Sequence, residues 1–118
     1  MANQEKVIQL LETSTDQLYW HLLDYCDKLL EEQRRLNVQI KLSKACQEFR
    51  STRTKYDRDS YIDFKKSDLE VFYNKIKQIP FIQTETVFNF KKDLELSINN
   101  FNLYYDEDTG IRKHNNTK

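Results

Sequence analysis

The chain has 118 residues, of which 38% are hydrophobic and 32% are charged, and its 19 basic and 19 acidic side chains give a formal net charge of zero. This length fits a single domain that is more charged than an average globular one. No run of about 18 apolar residues occurs, and the first residues lack the apolar segment of a signal peptide, so we expect an intracellular protein, cytoplasmic or nuclear, without a transmembrane segment.

The chain contains a single glycine, Gly110, and a single proline, Pro80. Because these two residue types end helices and permit tight turns, their scarcity predicts an all-α protein built from long helices. The same scarcity argues against glycine-rich loops that bind phosphates and against sharp turns that expose catalytic nucleophiles. We therefore expect that the protein is not an enzyme and binds no cofactor.

The spacing of apolar residues predicts a first helix from about residue 6 to residue 50. Between Ile8 and Leu29, seam residues recur every three or four positions, all apolar or aromatic except Thr15, which is the pattern of a coiled-coil seam. The apolar stripe moves round the helix after Glu32, which indicates two different packing neighbours. The segment from Thr13 to Asp16 marks a point where the helix can restart, since such residues favour caps over helix interiors.

The second half of the chain is predicted to hold a connection and two helices, at residues 51–66, about 67–79 and about 84–105. Ser67 and Glu70 match the spacing of a capping box at the start of the first of these helices. Pro80 disfavours helical geometry in the residue before it, so a break or kink follows. Thr84 is the expected cap of the last helix.

An unbroken helix over residues 6–50 would be about 65 Å long, whereas a compact chain of this length has a radius of gyration of only about 13–14 Å. We therefore favour an elongated antiparallel helical hairpin with coiled-coil-like seams, whose second arm is kinked or broken at Pro80. The alternative is a compact three- to four-helix bundle. In both arrangements residues 1–105 form one helical domain, and residues 106–118 are expected to be a disordered C-terminal tail.

The leading functional hypothesis is a non-enzymatic scaffold or adaptor subunit of a multi-protein complex. A hairpin buries only one seam, so its remaining apolar surface would bind partner helices in a homo- or hetero-oligomer. The residues assigned to this partner interface are Leu18, Leu22, Tyr25, Leu29, Leu94, Ile98 and Phe101.

A second hypothesis rests on charge, which is unevenly distributed along the chain. Residues 1–33 carry a net charge of −5, residues 34–66 a net charge of +6 and residues 67–118 a net charge of −1. Basic side chains interleaved with tyrosines around the connection are typical of surfaces that bind nucleic acid or anionic groups. The basic patch comprises Arg50, Arg53, Lys55, Arg58, Lys65 and Lys66.

The side chains that most often carry catalysis or metal binding are few. His21 lies in the first predicted helix without a second ligand at metal-binding spacing, and we interpret it as a half-exposed structural histidine. Cys26 and Cys46 fit no metal or redox motif, so free thiols in a reducing compartment are expected. The sequence thus predicts no metal site.

Overall fold

A computed structural model describes residues 2–56 and 62–113 of the chain. Over these residues the protein is all-helical, as predicted, and an isolated antiparallel bridge between Tyr105 and Arg112 is the only extended pairing. The helices are α1 (Ala2–Thr13), α2 (Thr15–Glu32), α3 (Leu36–Arg50), the single turn α4 (Thr52–Lys55), α5 (Lys66–Lys77) and α6 (Glu85–Tyr104).

Four helices close into a ring, because α2 packs on α3, α3 on α5, α5 on α6, and α6 back on α2. Helix α1 packs against α6 and α2 on the outside of this ring. The radius of gyration is 14.4 Å and the longest dimension is 47 Å. The compact bundle therefore fits, and the elongated hairpin favoured from the sequence is not confirmed.

The predicted first helix is in fact three helices. The first break is at Ser14, whose hydroxyl accepts a hydrogen bond from the Asp16 backbone N–H at 3.0 Å, as the capping tendency of this segment indicated. The second break, between α2 and α3, was not predicted. There the buried Gln33 side chain donates to the Ile82 carbonyl at 2.7 Å and accepts from the Ile82 N–H at 2.8 Å. Gln33 thereby joins the α2–α3 corner to the chain segment that precedes α6.

The cap of α6 matches the sequence prediction, whereas the cap of α5 differs from it. The Thr84 hydroxyl accepts from the Val87 N–H at 3.2 Å and caps α6, as predicted. At the start of α5, however, the Asp68 carboxylate accepts from the Lys65 N–H at 2.8 Å. The predicted capping box of Ser67 and Glu70 is therefore wrong, because the helix begins at Lys66 and its cap is provided by Asp68.

A line of aromatic side chains crosses the core, and α2, α3, α5 and α6 each supply one of them. The Phe49 and Phe72 rings are stacked with centroids 4.5 Å apart, and Phe72 lies 5.9 Å from Phe90. Phe90 in turn stacks on Tyr25 at 5.2 Å. Such contacts contribute about 0.5–1.5 kcal/mol per pair beyond the burial of apolar area.

The residues assigned from sequence to a partner interface lie in this core. Six of them are buried, with exposed fractions between 0% and 9%: Leu18, Leu22, Tyr25, Leu29, Leu94 and Phe101. Ile98 is partly buried and packs against the same cluster. In this fold the seams are covered by the chain's own helices, so partner contacts require other surfaces.

Residues 105–113 form a hairpin, which corrects the expectation of a disordered tail over residues 106–113. Gly110 adopts φ 77°, a conformation that favours glycine, and its N–H donates to the Asp106 carbonyl at 2.8 Å. The Arg112 guanidinium donates to the Glu12 carbonyl at the end of α1, and the Tyr105 hydroxyl donates to the Leu11 carbonyl at 2.7 Å. The hairpin thereby caps the C-terminus of α1. Residues 114–118 lie outside the described residues.

A disulfide between Cys26 and Cys46 joins α2 to α3, and both residues are at least 96% buried. The expectation of two free thiols is therefore wrong. In the sequence the two residues are 20 positions apart on what looked like one helix, whereas the break between Gln33 and Arg35 folds α3 back onto α2.

Within residues 2–56 and 62–113, none of the helices combines the length and the hydrophobicity needed to cross a bilayer.

Removing this disulfide by the Cys26→Ser substitution should lower the free energy of unfolding by about 3 kcal/mol, because the bridge closes a loop of 20 residues in the unfolded chain. Urea unfolding followed by circular dichroism measures this change. A reducing agent should destabilise the wild type equally and should not affect a Cys26→Ser/Cys46→Ser variant. Alkylation of both cysteines in unreduced, unfolded protein would contradict the disulfide.

Candidate functional site: an arginine–aromatic cleft

The best candidate site lies at the end of the bundle where α3 stops and the short α4 begins. Helix α2 starts at the same end and packs Tyr19 against it. The buried Tyr19 hydroxyl donates to the Arg50 carbonyl at 2.8 Å, which satisfies one of the free carbonyls at the end of α3. This bond fixes the start of the basic patch relative to α2.

Arg53 is the central side chain of the cluster. Its guanidinium carbon lies 5.0 Å from the centre of the Tyr19 ring and 5.5 Å from the centre of the Trp20 ring. The same guanidinium forms ion pairs with Asp16 at 2.5 Å and with Asp63 at 3.4 Å. These contacts hold the guanidinium against both rings, so Arg53 positions Trp20 and its own charge is locally compensated.

A cleft of about 530 Å³ opens beside this cluster, and we call it the Trp20 cleft. It is lined by Tyr19, Trp20, Arg50, Arg53, Thr54, Ile62 and Asp63. Trp20 is 52% exposed, and the exposed Arg50 has no ion-pair partner among the described residues. The cleft therefore presents an indole and an uncompensated cation to solvent, and Trp and Arg are the residue types most enriched at binding hot spots.

The rest of the predicted basic patch is not a continuous basic surface. Lys55 forms an ion pair with Asp68 at 2.9 Å, and the Lys65 ammonium lies over the Tyr56 ring at 5.2 Å. Lys66 lies 3.9 Å from Glu107. Arg58 lies outside the described residues. The structure thus brings Arg50 and Arg53 together at the cleft, whereas the described lysines face other partners.

The Asp68 carboxylate is an anchor for this end of the bundle. Besides the Lys65 N–H, it accepts hydrogen bonds from Tyr56 at 2.5 Å and from Lys55. Burial of Asp68 acts to raise the pKa of its carboxyl, but the hydrogen bonds from Tyr56, from the Lys65 backbone and from Lys55 outweigh burial and hold the pKa below its usual value. Burial and the bond to Asp68 raise the pKa of Tyr56.

The Asp68 cluster should make stability depend on pH in the acid range. A carboxyl whose pKa is lowered on folding stabilises the protein above the unfolded-state pKa of about 3.9, and this stabilisation is lost as the pH falls through the lower pKa of the folded state. We expect Asp68→Asn to be less stable than wild type by about 1–3 kcal/mol at pH 7, and to lose less stability than wild type on further acidification below about pH 4.

Urea unfolding at a series of pH values from neutral to strongly acid measures this difference. Asp24→Asn is the matched control, because Asp24 is 63% exposed and its ion pair among the described residues is with Lys28, one turn further along α2. An acid dependence of stability that is the same in Asp68→Asn and in wild type would contradict the assignment.

A second polar cluster joins α2 to α6 through the core. His21 Nε2 lies 2.9 Å from Asp93 Oδ2, and the side chains are 15% and 0% exposed. Burial, followed by the charge of Asp93 and a hydrogen bond to it, raises the pKa of Tyr25. His21 is therefore more buried than the half-exposed residue expected from the sequence, and it has a carboxylate partner 72 positions away. No cluster of three or more potential metal ligands occurs among the described residues.

The His21→Leu substitution should destabilise the protein by about 3–5 kcal/mol, because it removes the His21 partner of the fully buried Asp93 side chain and leaves Tyr25 as its remaining partner. The double variant His21→Leu/Asp93→Leu should recover part of this loss, since both polar groups are then removed. Urea unfolding of the two single variants and the double variant gives the coupling energy. Strictly additive effects would show that the two side chains do not interact.

No protein family matches this sequence, and no curated protein or solved structure is significantly similar to it. Function is therefore inferred from the geometry of the chain itself.

Proposed function

We propose that this protein is a non-enzymatic helical adaptor that binds a partner protein through the Trp20 cleft. The observation that carries the proposal is the position of Trp20, which is 52% exposed yet held by Arg53 and by the edge of the Tyr19 ring at 5.1 Å. A large aromatic side chain fixed in place before binding loses little conformational entropy on association. The uncompensated Arg50 beside it adds a charged contact.

The closed core changes the way in which an adaptor of this kind would work. The apolar seams predicted from the sequence as the partner interface are buried by the chain's own helices. The fold therefore does not need a partner to cover its core. This supports a preformed module that binds its partner through surface residues, in either a homo- or a hetero-oligomer.

Nucleic-acid or anionic-surface binding by residues 50–66 is the less supported alternative. Phosphate binding requires basic side chains that are free to replace counterions. Arg53 is paired with two carboxylates and Lys55 with a third, so only part of the patch is available. A steep fall of affinity with salt would favour this alternative over protein binding.

The disulfide also bears on the cellular location of the proposed adaptor. A cytoplasmic or nuclear location stays a prediction from the sequence. The disulfide between Cys26 and Cys46 instead favours an oxidising compartment, because disulfides are rare in reducing ones.

The experiment compares three forms of the immobilised full chain: wild type, Trp20→Ala and Phe88→Ala. Phe88 is the matched control, because it is an aromatic residue that is 61% exposed but lies on α6 outside the cleft. A partner captured from the native host is then purified. Its affinity should fall at least about tenfold for Trp20→Ala and change little for Phe88→Ala.

Trp20 is the single tryptophan of the chain, so its fluorescence reports binding directly in the wild type and in Phe88→Ala. Circular dichroism and thermal unfolding verify that both variants keep the fold. Equal weakening by both substitutions, or an affinity unaffected by Trp20→Ala, would overturn the proposal.

A further inference from the structure

A groove runs between α3 and α5 on a different side of α3 from the Trp20 cleft. It consists of two adjoining cavities, of about 340 Å³ and about 190 Å³. Both are lined by Ala45, Glu48 and Lys75, so they form one continuous surface, which we call the α3–α5 groove. The wider cavity lies toward the start of α3 and the end of α5.

The rim of the wider cavity is basic. Lys41 and Lys44 lie one turn apart on α3, both are exposed, and neither has an ion-pair partner among the described residues. Across the groove Lys75 is paired with Glu48, which is the single acidic residue of α3. Two lysine charges therefore remain uncompensated at this end.

The floor of the groove is apolar. Ala45 and Ile79 are 3% and 5% exposed and lie beneath the lysines. At the opposite end Val71 is 52% exposed beside Phe72. Ala45 lines both cavities, and its small side chain leaves the middle of the groove open, so a ligand can lie along it. The groove thus combines a basic rim with an apolar floor.

We propose that the α3–α5 groove binds an acidic amphipathic segment of a partner protein. Such a segment would place carboxylates near Lys41 and Lys44 and apolar side chains on Ala45 and Ile79, as amphipathic helices do in hydrophobic grooves. Charge complementarity sets the sign of the ligand, because the two lysines have no carboxylate of their own. This site is additional to the Trp20 cleft and does not depend on it.

Nucleic acid fits the groove less well than an acidic peptide. Glu48 and Asp68 compensate Lys75 and Lys55 along the same groove, so only Lys41 and Lys44 would attract a phosphate backbone, whose charge is continuous. A peptide can place carboxylates only where lysines face them and apolar side chains elsewhere. A peptide can also place apolar side chains against Ala45 and Ile79, whereas a phosphate chain has none to offer.

The test uses the full oxidised chain, labelled with ¹⁵N, and a synthetic peptide of glutamate with leucine at helical i, i+3, i+4 and i+7 spacing. Binding should shift the amide signals of Ala45, Glu48 and Lys75. The charge reversal Lys41→Glu/Lys44→Glu should weaken binding at least about tenfold. The control Lys6→Glu/Lys92→Glu changes net charge equally but alters two exposed lysines outside the groove, and it should weaken binding less than about threefold.

Three results would overturn the proposal: equal weakening by both double variants, signal changes that map to other surfaces, or tighter binding of a single-stranded oligonucleotide to the same residues. Replacing the leucines of the peptide by serine should also weaken binding, and no effect would refute the role of the apolar floor. Trp20→Ala should leave peptide affinity unchanged, so this site and the Trp20 cleft can fail independently.

Discussion

Four aromatic rings in continuous contact, from Tyr25 through Phe90 and Phe72 to Phe49, hold together the four helices of the ring. Because each helix supplies one ring, no helix can leave without breaking the line. The leucines of the predicted seams pack around these rings and are covered. Because these aromatic contacts close the core over the predicted seams, a partner protein can bind only to surface residues.

Long-range polar bonds determine how the helices are oriented round this aromatic line. Gln33 joins the α2–α3 corner to Ile82, and His21 joins α2 to Asp93 on α6. Each bond satisfies polar groups that would be costly to bury without a partner. A different helix packing that broke the bond would therefore cost more free energy than the bond itself contributes to stability. At the Trp20 cleft the corresponding long-range polar contacts are the ion pairs of Arg53 with Asp16 and Asp63.

Much of the helical content was predictable from the sequence, because apolar spacing and the caps at Ser14 and Thr84 are local signals. The break at Gln33 was missed, since it depends on a partner 49 positions away. The only local signal of this break was the shift of the apolar stripe after Glu32. A chain reversal at that point would have brought Cys26 and Cys46 together and suggested the disulfide. At the candidate site the basic residues were visible, but their compensation by carboxylates and the part played by Trp20 required the three-dimensional contacts.

Helix α3 is the element on which both proposed surfaces depend, and its own sequence supports it weakly. Its first residue follows Arg35, whose side chain provides no cap, and its first turn contains no acidic residue. The helix is instead held from outside, by the disulfide at Cys46, the ring stack at Phe49 and the bond from Tyr19 to the Arg50 carbonyl. Both surfaces are thus built on a helix that is positioned by the core, which is why a closed core and a binding function are compatible in so small a chain.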